Sequence, residues 1–257
     1  MKKILLTAAL IAVGSISANA ADLGARPYTK APIADPAYDW SGFYIGVNAG
    51  YGWGHNHHDD LTPGGGYWTE KVGMVGHRQT VDPRGAVYGG QIGYNWQAAN
   101  WVFGLEGQFN GASVKRTDIS IFYPGENFLS AKIDSFATAT ARIGYAFNNW
   151  LPYIKGGYAA AHLKTNDFDI YGDTLDHSAW RSGYVVGAGL EYAFAPNWTF
   201  GVEYNYMDFG GKSFAGRDIY STTGTPTDPE SFNDKLKFST VTARLSYKFG
   251  GPAVARY

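Results

Sequence analysis

The 257-residue chain has no cysteine, only three methionines, and charge on just 17% of its residues. Without cysteine there is no disulfide framework, no thiolate-held zinc or iron–sulfur cluster and no thiol nucleophile. A formal charge of −1 lacks the basic excess that nucleic-acid binding needs. Beyond the N-terminal segment no apolar run reaches the ~20 residues of a transmembrane helix. What abounds instead is glycine, 34 residues, together with 8 Trp, 19 Tyr and 15 Phe. That aromatic load excludes intrinsic disorder, and the length allows one large domain or two small ones.

The N-terminus supplies an address. Met1-Lys2-Lys3 precedes an apolar run from Ile4 to Val13 and then Ala18-Asn19-Ala20. A positive start, a short apolar stretch and an A-x-A site predict a signal peptide over residues 1–20, cleaved after Ala20. A membrane anchor is the competing reading, and the run is too short for it. The remaining chain carries 19 basic against 22 acidic side chains. Residues 21–39 set Pro27, Pro32 and Pro36 among small and polar residues. Proline removes donors and stiffens the chain, which predicts an extended periplasmic linker.

From Ser41 onward the sequence alternates with period two, the mark of strands with unlike faces. Phe43, Ile45, Val47, Ala49, Tyr51 and Trp53 share one face; Tyr44, Gly46, Asn48, Gly50 and Gly52 share the other. Seven more segments repeat the contrast, near 85–97, 101–115, 133–147, 151–164, 182–194, 198–209 and 238–249. Short links at 97–100, 148–150 and 195–197 alternate with long ones near 54–84, 116–132, 165–181 and 210–237. These features predict an all-β fold, an eight-stranded antiparallel up-and-down barrel over residues 40–249 with a tail at 250–257. Eight strands suffice to close a sheet and abolish its edges.

Alternation alone does not say which face is inside. An eight-stranded barrel has an interior just wide enough for side chains. The apolar face carries too many large rings to fit there, whereas the glycine-rich face fits. The apolar face also carries no Asp, Glu, Lys or Arg between strand ends, as lipid demands: a mid-depth Lys or Arg costs ~2–4 kcal/mol. Aromatics gather at the short-turn end: Trp96, Trp101, Phe147, Trp150, Phe194, Trp198 and Phe249. A second set, Trp53, Phe109, Tyr158, Tyr184 and Tyr206, lies toward the long links. Paired aromatic belts mark bilayer interfaces, so the barrel is expected to be transmembrane.

On the inward face, Glu106, Arg142, Lys155, Glu191, Glu203 and Arg244 fall at similar heights on strands three to eight. Three acids matched by three bases predict a lumenal ring of ion pairs, with Lys248 nearer the periplasmic mouth. A glycosidase-like pair of carboxylates is the catalytic alternative. Matched bases and the lack of a substrate cleft favour structural pairing. Inward glycines at 46, 104, 187, 189 and 201 would leave room for water.

Several stretches resemble the major surface-antigen outer-membrane proteins of alphaproteobacteria, relatives of the eight-stranded barrel of outer-membrane protein A. They are Ala21-Asp22-Leu23, Tyr28-Thr29-Lys30-Ala31-Pro32 and Tyr38-Asp39-Trp40-Ser41-Gly42-Phe43-Tyr44-Ile45-Gly46. Gly89-Gly90-Gln91-Ile92-Gly93-Tyr94-Asn95, Ala141-Arg142-Ile143-Gly144-Tyr145-Ala146, Gly201-Val202-Glu203-Tyr204 and Ser246-Tyr247-Lys248-Phe249 continue the match. The resemblance implies an abundant, immunogenic, surface-exposed envelope protein, sometimes porin-like, with hemin binding or adhesion credited to some members. The family commonly ends on the last strand's aromatic residue. Here Gly250–Tyr257 follow, leaving Phe249 and Tyr257 as rival bearers of the assembly signal.

Other sites are weaker. His55, His57 and His58, with Asp59 and Asp60, could ligate a metal or hemin, although a flexible loop offers no preorganised geometry. Gly64-Gly65-Gly66 lacks the strand-to-helix setting of a phosphate loop. Tyr67 and Trp68 suit an adhesive patch or packing over the barrel mouth. A Ser–His pairing would draw on Ser178 or Ser182 with His177 or His162, and their spacing fixes no geometry. The sequence therefore predicts a monomeric outer-membrane surface protein with an envelope and antigen role, without enzymatic activity or cofactor. A narrow porin-like channel is the alternative, and hemin or metal capture the third. Expected partners are outer-membrane lipid, lipopolysaccharide, the barrel-assembly machinery, and host or environmental surfaces met through the long loops.

Overall fold

The computed structural model describes residues 38–60, 78–119, 127–169, 174–216 and 230–250. The expected signal peptide, most of the linker, the Gly64–Trp68 stretch, His77 and the end of the tail lie outside the described residues.

Nine strands are present among the described residues: β1 (Gly42–Asp60), β2 (Arg78–Val81), β3 (Arg84–Ala98), β4 (Trp101–Ile119), β5 (Asn127–Tyr145), β6 (Trp150–Asp169), β7 (Thr174–Ala195), β8 (Trp198–Gly216) and β9 (Glu230–Lys248). Consecutive long strands pair antiparallel, and β1 pairs with β9 from Tyr44↔Lys248 to Asp60↔Phe232. The sheet is therefore a closed eight-stranded barrel. β2 pairs with β1 beyond β3 and continues the same side of the ladder. Asp82 and Pro83 interrupt it because proline has no N–H to give the sheet, while the Pro83 carbonyl accepts from Gly54 N at 2.8 Å.

Period two survives because lipid on one side and a packed lumen on the other impose opposite demands on alternate residues. Phe103, Leu105 and Phe109 are exposed, and Val102, Glu106, Gln108 and Asn110 are buried. The strands outrun their sequence-based limits at the long-link end. The segments assigned to loops at 54–60, 116–119, 127–132, 165–169, 174–181, 210–216 and 230–237 are strand. There both faces are of mixed polarity, so the alternation loses contrast. Bulges also break its phase: Asp134 is an extra residue between Ile133 and Ser135 against β6, and Phe209 and Gly210 together stand opposite the single Leu236 of β9. Gly210 takes φ +62, the left-handed bend that glycine adopts without a Cβ penalty.

Candidate functional site

The charged layer sits at mid-height in the lumen. Glu106 on β4, Arg142 on β5, Lys155 on β6, Glu191 on β7, Glu203 on β8 and Arg244 on β9 all point inward and are buried. Lys155 Nζ donates to Glu203 Oε1 at 2.8 Å and Glu106 Oε1 at 3.2 Å. Arg142 Nη1 donates to Glu191 Oε1 at 2.8 Å and lies 3.7 Å from Glu106. Arg244 donates to both Glu106 and Glu203 and stands 3.7 Å from Glu191. The structure thus brings all six together. Buried charges are tolerable only when paired and hydrogen-bonded in this way.

Neutral groups that sequence reasoning did not single out complete the network. Tyr44 OH donates to Glu106 Oε2 at 2.7 Å, and Tyr153 OH to Glu203 Oε2 at 2.6 Å. Gln108 Nε2 bridges Glu106 and Glu203 at 3.0 and 2.9 Å. Asn95 accepts from Arg142 Nε at 3.0 Å, and Asn205 donates to Glu203 at 2.9 Å. The Arg142 guanidinium lies 4.8 Å from the Tyr44 ring centroid and 5.0 Å from that of Tyr153. A signal for both tyrosines was available in strand parity combined with register. Tyr44 is paired with Gly93, and Tyr153 with Gly189. A Cβ at either glycine would meet the facing tyrosine ring. These lumenal glycines are recesses filled by neighbours, which corrects the expectation that they leave room for water.

Two further layers close the lumen. At the short-turn end, Trp40 is buried with Val102, Ala146, Leu151, Tyr153 and Ala193, and Tyr38 packs edge-on to it at 4.8 Å. Trp40 N donates to Gln97 Oε1 at 2.8 Å. Lys248 Nζ donates to the Asp39 carbonyl and stands 4.6 Å from the Tyr38 ring centroid. Burial pushes the Tyr38 phenol up to about 12, with Glu191 and Asp39 adding to the rise. On the other side of the charged layer lies an apolar plug that includes Val87, Val114, Phe136, Leu163, Met207 and Phe238. Phe136 and Phe238 meet edge-on at 5.4 Å across it. From the sequence the glycine-rich face was expected inside, with only the charged ring named within it. The outer half of the lumen is apolar: Phe136 and Phe238 keep the lumenal parity of Thr138 and Thr240, and the bulge at Asp134 turns Ile133 inward as well.

The seven aromatics at the short turns, Trp96, Trp101, Phe147, Trp150, Phe194, Trp198 and Phe249, all face outward, 41–58% exposed. Trp101 packs on Tyr145, Trp150 on Tyr192 and Trp198 on Tyr247, with centroids 4.5–5.3 Å apart. His55, His57 and His58 fall within β1 and not in a loop. His55 Nδ1 lies 2.8 Å from Asp82 Oδ1, and His57 Nδ1 is 2.8 Å from Thr80 Oγ1. Among the described residues no cluster of three or more His, Cys, Asp or Glu is placed to hold a metal.

Of the serine–histidine pairings, the structure brings together Ser178 and His162. Ser178 Oγ is 3.0 Å from His162 Nε2, and His162 Nδ1 is 2.7 Å from Asp134 Oδ1. The chain links β5, β6 and β7 on the outer wall. Ser182 instead bonds Tyr158 OH at 2.7 Å.

Residues 7–249 match the family described as outer membrane protein beta-barrel domain. The chain belongs to that family. It is 35% identical to the 31 kDa outer-membrane immunogenic protein of Brucella melitensis, over 97% of this chain and 100% of the relative. The 25 kDa outer-membrane immunogenic protein of Brucella abortus is 28% identical, covering 97% of this chain and 99% of its own. Among solved structures, outer membrane protein OprG from Pseudomonas aeruginosa superimposes with a TM-score of 0.52 at 15% identity, over 82% of this chain and 97% of its own. The outer membrane protease OmpT from Escherichia coli gives 0.55 at 13% identity, over 83% and 98%. Likeness at that identity is a likeness of fold. The family and the barrel together place this protein in the bacterial outer membrane, and its exposed apolar belt is the surface that lipid covers.

Proposed function

We propose that this protein is a structural, surface-displayed barrel of the outer membrane, whose lumen is a brace and not a passage. The supporting observation is the filling of the described lumen by three successive layers: Trp40 and its neighbours, the charged network, and the apolar plug. A water-conducting path would have to displace all three. The names of the Brucella relatives, which call them immunogenic, support a surface-antigen role for the long connections. Short turns then face the periplasm and the long connections face the medium, where they meet host or environmental surfaces. Lipid and lipopolysaccharide surround the wall, and barrel-assembly machinery inserts it. The Ser178–His162–Asp134 chain is assigned a structural role tying β5, β6 and β7. No enzymatic activity is assigned to the barrel.

The absence of cysteine makes orientation directly testable. Single variants Gly65→Cys and Pro196→Cys would be treated in intact cells with a membrane-impermeant maleimide. Labelling at position 65 and protection at 196 is the expected result. The reverse pattern would overturn the assignment.

A further inference from the structure

Four cations stand in register on the outer wall. Arg84 on β3 is the direct partner of Lys115 on β4, Lys115 of Lys132 on β5, and Lys132 of Lys164 on β6. Adjacent strands lie ~4.8 Å apart, so the row spans about 14 Å. All four point away from the lumen: Pro83, Val114, Ala131, Ile133 and Leu163, their chain neighbours, are buried. Ladder rows in a tilted barrel normally climb, but the bulges in β4 and β5 offset the climb here. Arg84, Lys115 and Lys164 each lie 14 residues from the short-turn end of their strand, at Ala98, Trp101 and Trp150. The row therefore runs level with the membrane plane.

Its height is informative. Fourteen residues at ~3.3 Å, tilted by ~40°, rise about 35 Å above the periplasmic aromatics. The hydrocarbon core is ~30 Å thick and headgroups extend the bilayer to ~40–45 Å. The row thus sits in the outer headgroup layer, directly above exposed Tyr88, Phe109 and Tyr158. It occupies one flank only. The same ladder continues through Trp53 and Ser239 on one side and Ser178 on the other, none of them cationic.

Like charges directly opposite one another destabilise a sheet. Lys164 has a carboxylate partner, Asp134 at 2.8 Å. Arg84, Lys115 and Lys132 have no ion pair among the described residues. Nearby Arg116–Asp118 and His55–Asp82 are satisfied within their own pairs, at 2.7 and 2.8 Å. A polar cavity of about 460 Å³ adjoins Arg84, bounded by Trp53, His55, Thr80, Arg116 and Asp118. Three cations in a line with no ion pair among the described residues, at headgroup depth and beside a polar cavity, call for an anionic, sugar-sized headgroup with its acyl chains against the apolar wall.

We infer that Arg84, Lys115, Lys132 and Lys164 bind the phosphate groups of a phosphorylated glycolipid in the outer leaflet. The inference rests on the proposed orientation, and the test below does not depend on it. Purified full-length protein in detergent is titrated with bis-phosphorylated lipid A, with the same lipid after dephosphorylation, and with inorganic phosphate. Binding is read by native mass spectrometry and by the lipid-induced rise in thermal midpoint. The variant Arg84→Gln/Lys115→Gln/Lys132→Gln is expected to lose about 100-fold in affinity for the phosphorylated lipid, at about fivefold per cation. Its midpoint without lipid should equal or exceed that of the wild type, because repulsion has been removed. A control variant, Lys212→Gln/Lys237→Gln, should bind as the wild type does. Undiminished binding by the triple variant overturns the inference, as does equal binding of dephosphorylated lipid. An equal response to inorganic phosphate overturns the lipid assignment. A failure of the maleimide pattern with these results intact would refute the orientation and the outer-leaflet placement, and would leave the phosphate-binding row standing.

Discussion

Lys155 on β6 and Glu203 on β8 meet at 2.8 Å inside the barrel, although β7 lies between their strands in the sheet. Backbone ladders hold each strand only to its immediate neighbours. Contacts that skip a strand, as this one and Arg142–Glu191 do, brace the cross-section against shear.

Glu203→Gln removes one charge from this brace and leaves Lys155 and Arg244 undercompensated. Removing one partner of a buried pair costs ~3–5 kcal/mol. Unfolding in urea from detergent micelles should show that loss, and adding Lys155→Met to the same chain should recover part of it. Wild-type stability in the single variant would contradict the paired layer.

Tyr153 packs into the recess at Gly189 and donates to Glu203. Gly189→Ala puts a methyl group against that ring, an overpacking worth ~1–3 kcal/mol. Combining it with Tyr153→Phe should cost less than the sum of the two changes, because both act through the same ring. Strict additivity in a double-mutant cycle would refute the contact.

Trp40 closes the short-turn end of the lumen. Trp40→Ala should lower stability by ~3–5 kcal/mol, the range for truncating a buried large aromatic side chain. A calorimetric midpoint unchanged from the wild type would show that this residue does not seal the barrel.

Tyr38 offers a pH test outside the membrane-spanning strands. Burial raises its phenol to about 12 in the folded chain, above the ordinary value of 10. The folded state then holds the proton more tightly than the unfolded state. This contribution to stability is complete below pH 10 and is lost as pH rises from 10 to 12. Tyr38→Phe should flatten the stability profile in that window. An identical profile in the variant would show that Tyr38 is not buried.

The barrel was legible in the sequence wherever lipid and lumen impose opposite demands. Phe103 and Leu105 against Gly104 and Glu106 is such a stretch, and the closed eight-stranded topology follows from eight of them. Legibility failed at the outer ends, where Asp134 and Gly210 shift the phase and polar residues stand on both faces. Phe136 and Phe238 keep the parity of lumenal Thr138 and Thr240, and only closure of the barrel shows that they meet across it. The six charged residues could be named from parity and height alone. Tyr44 and Tyr153 could not, because their places depend on which glycine each faces across the ladder. The row from Arg84 to Lys164 likewise exists only once the registers between four strands are known.

Planar-bilayer recording of the purified protein tests the closed lumen most directly. The filled barrel predicts no discrete conductance steps above the bare bilayer at any holding potential the membrane withstands. Stable, reproducible single-channel openings by the wild-type chain would contradict it.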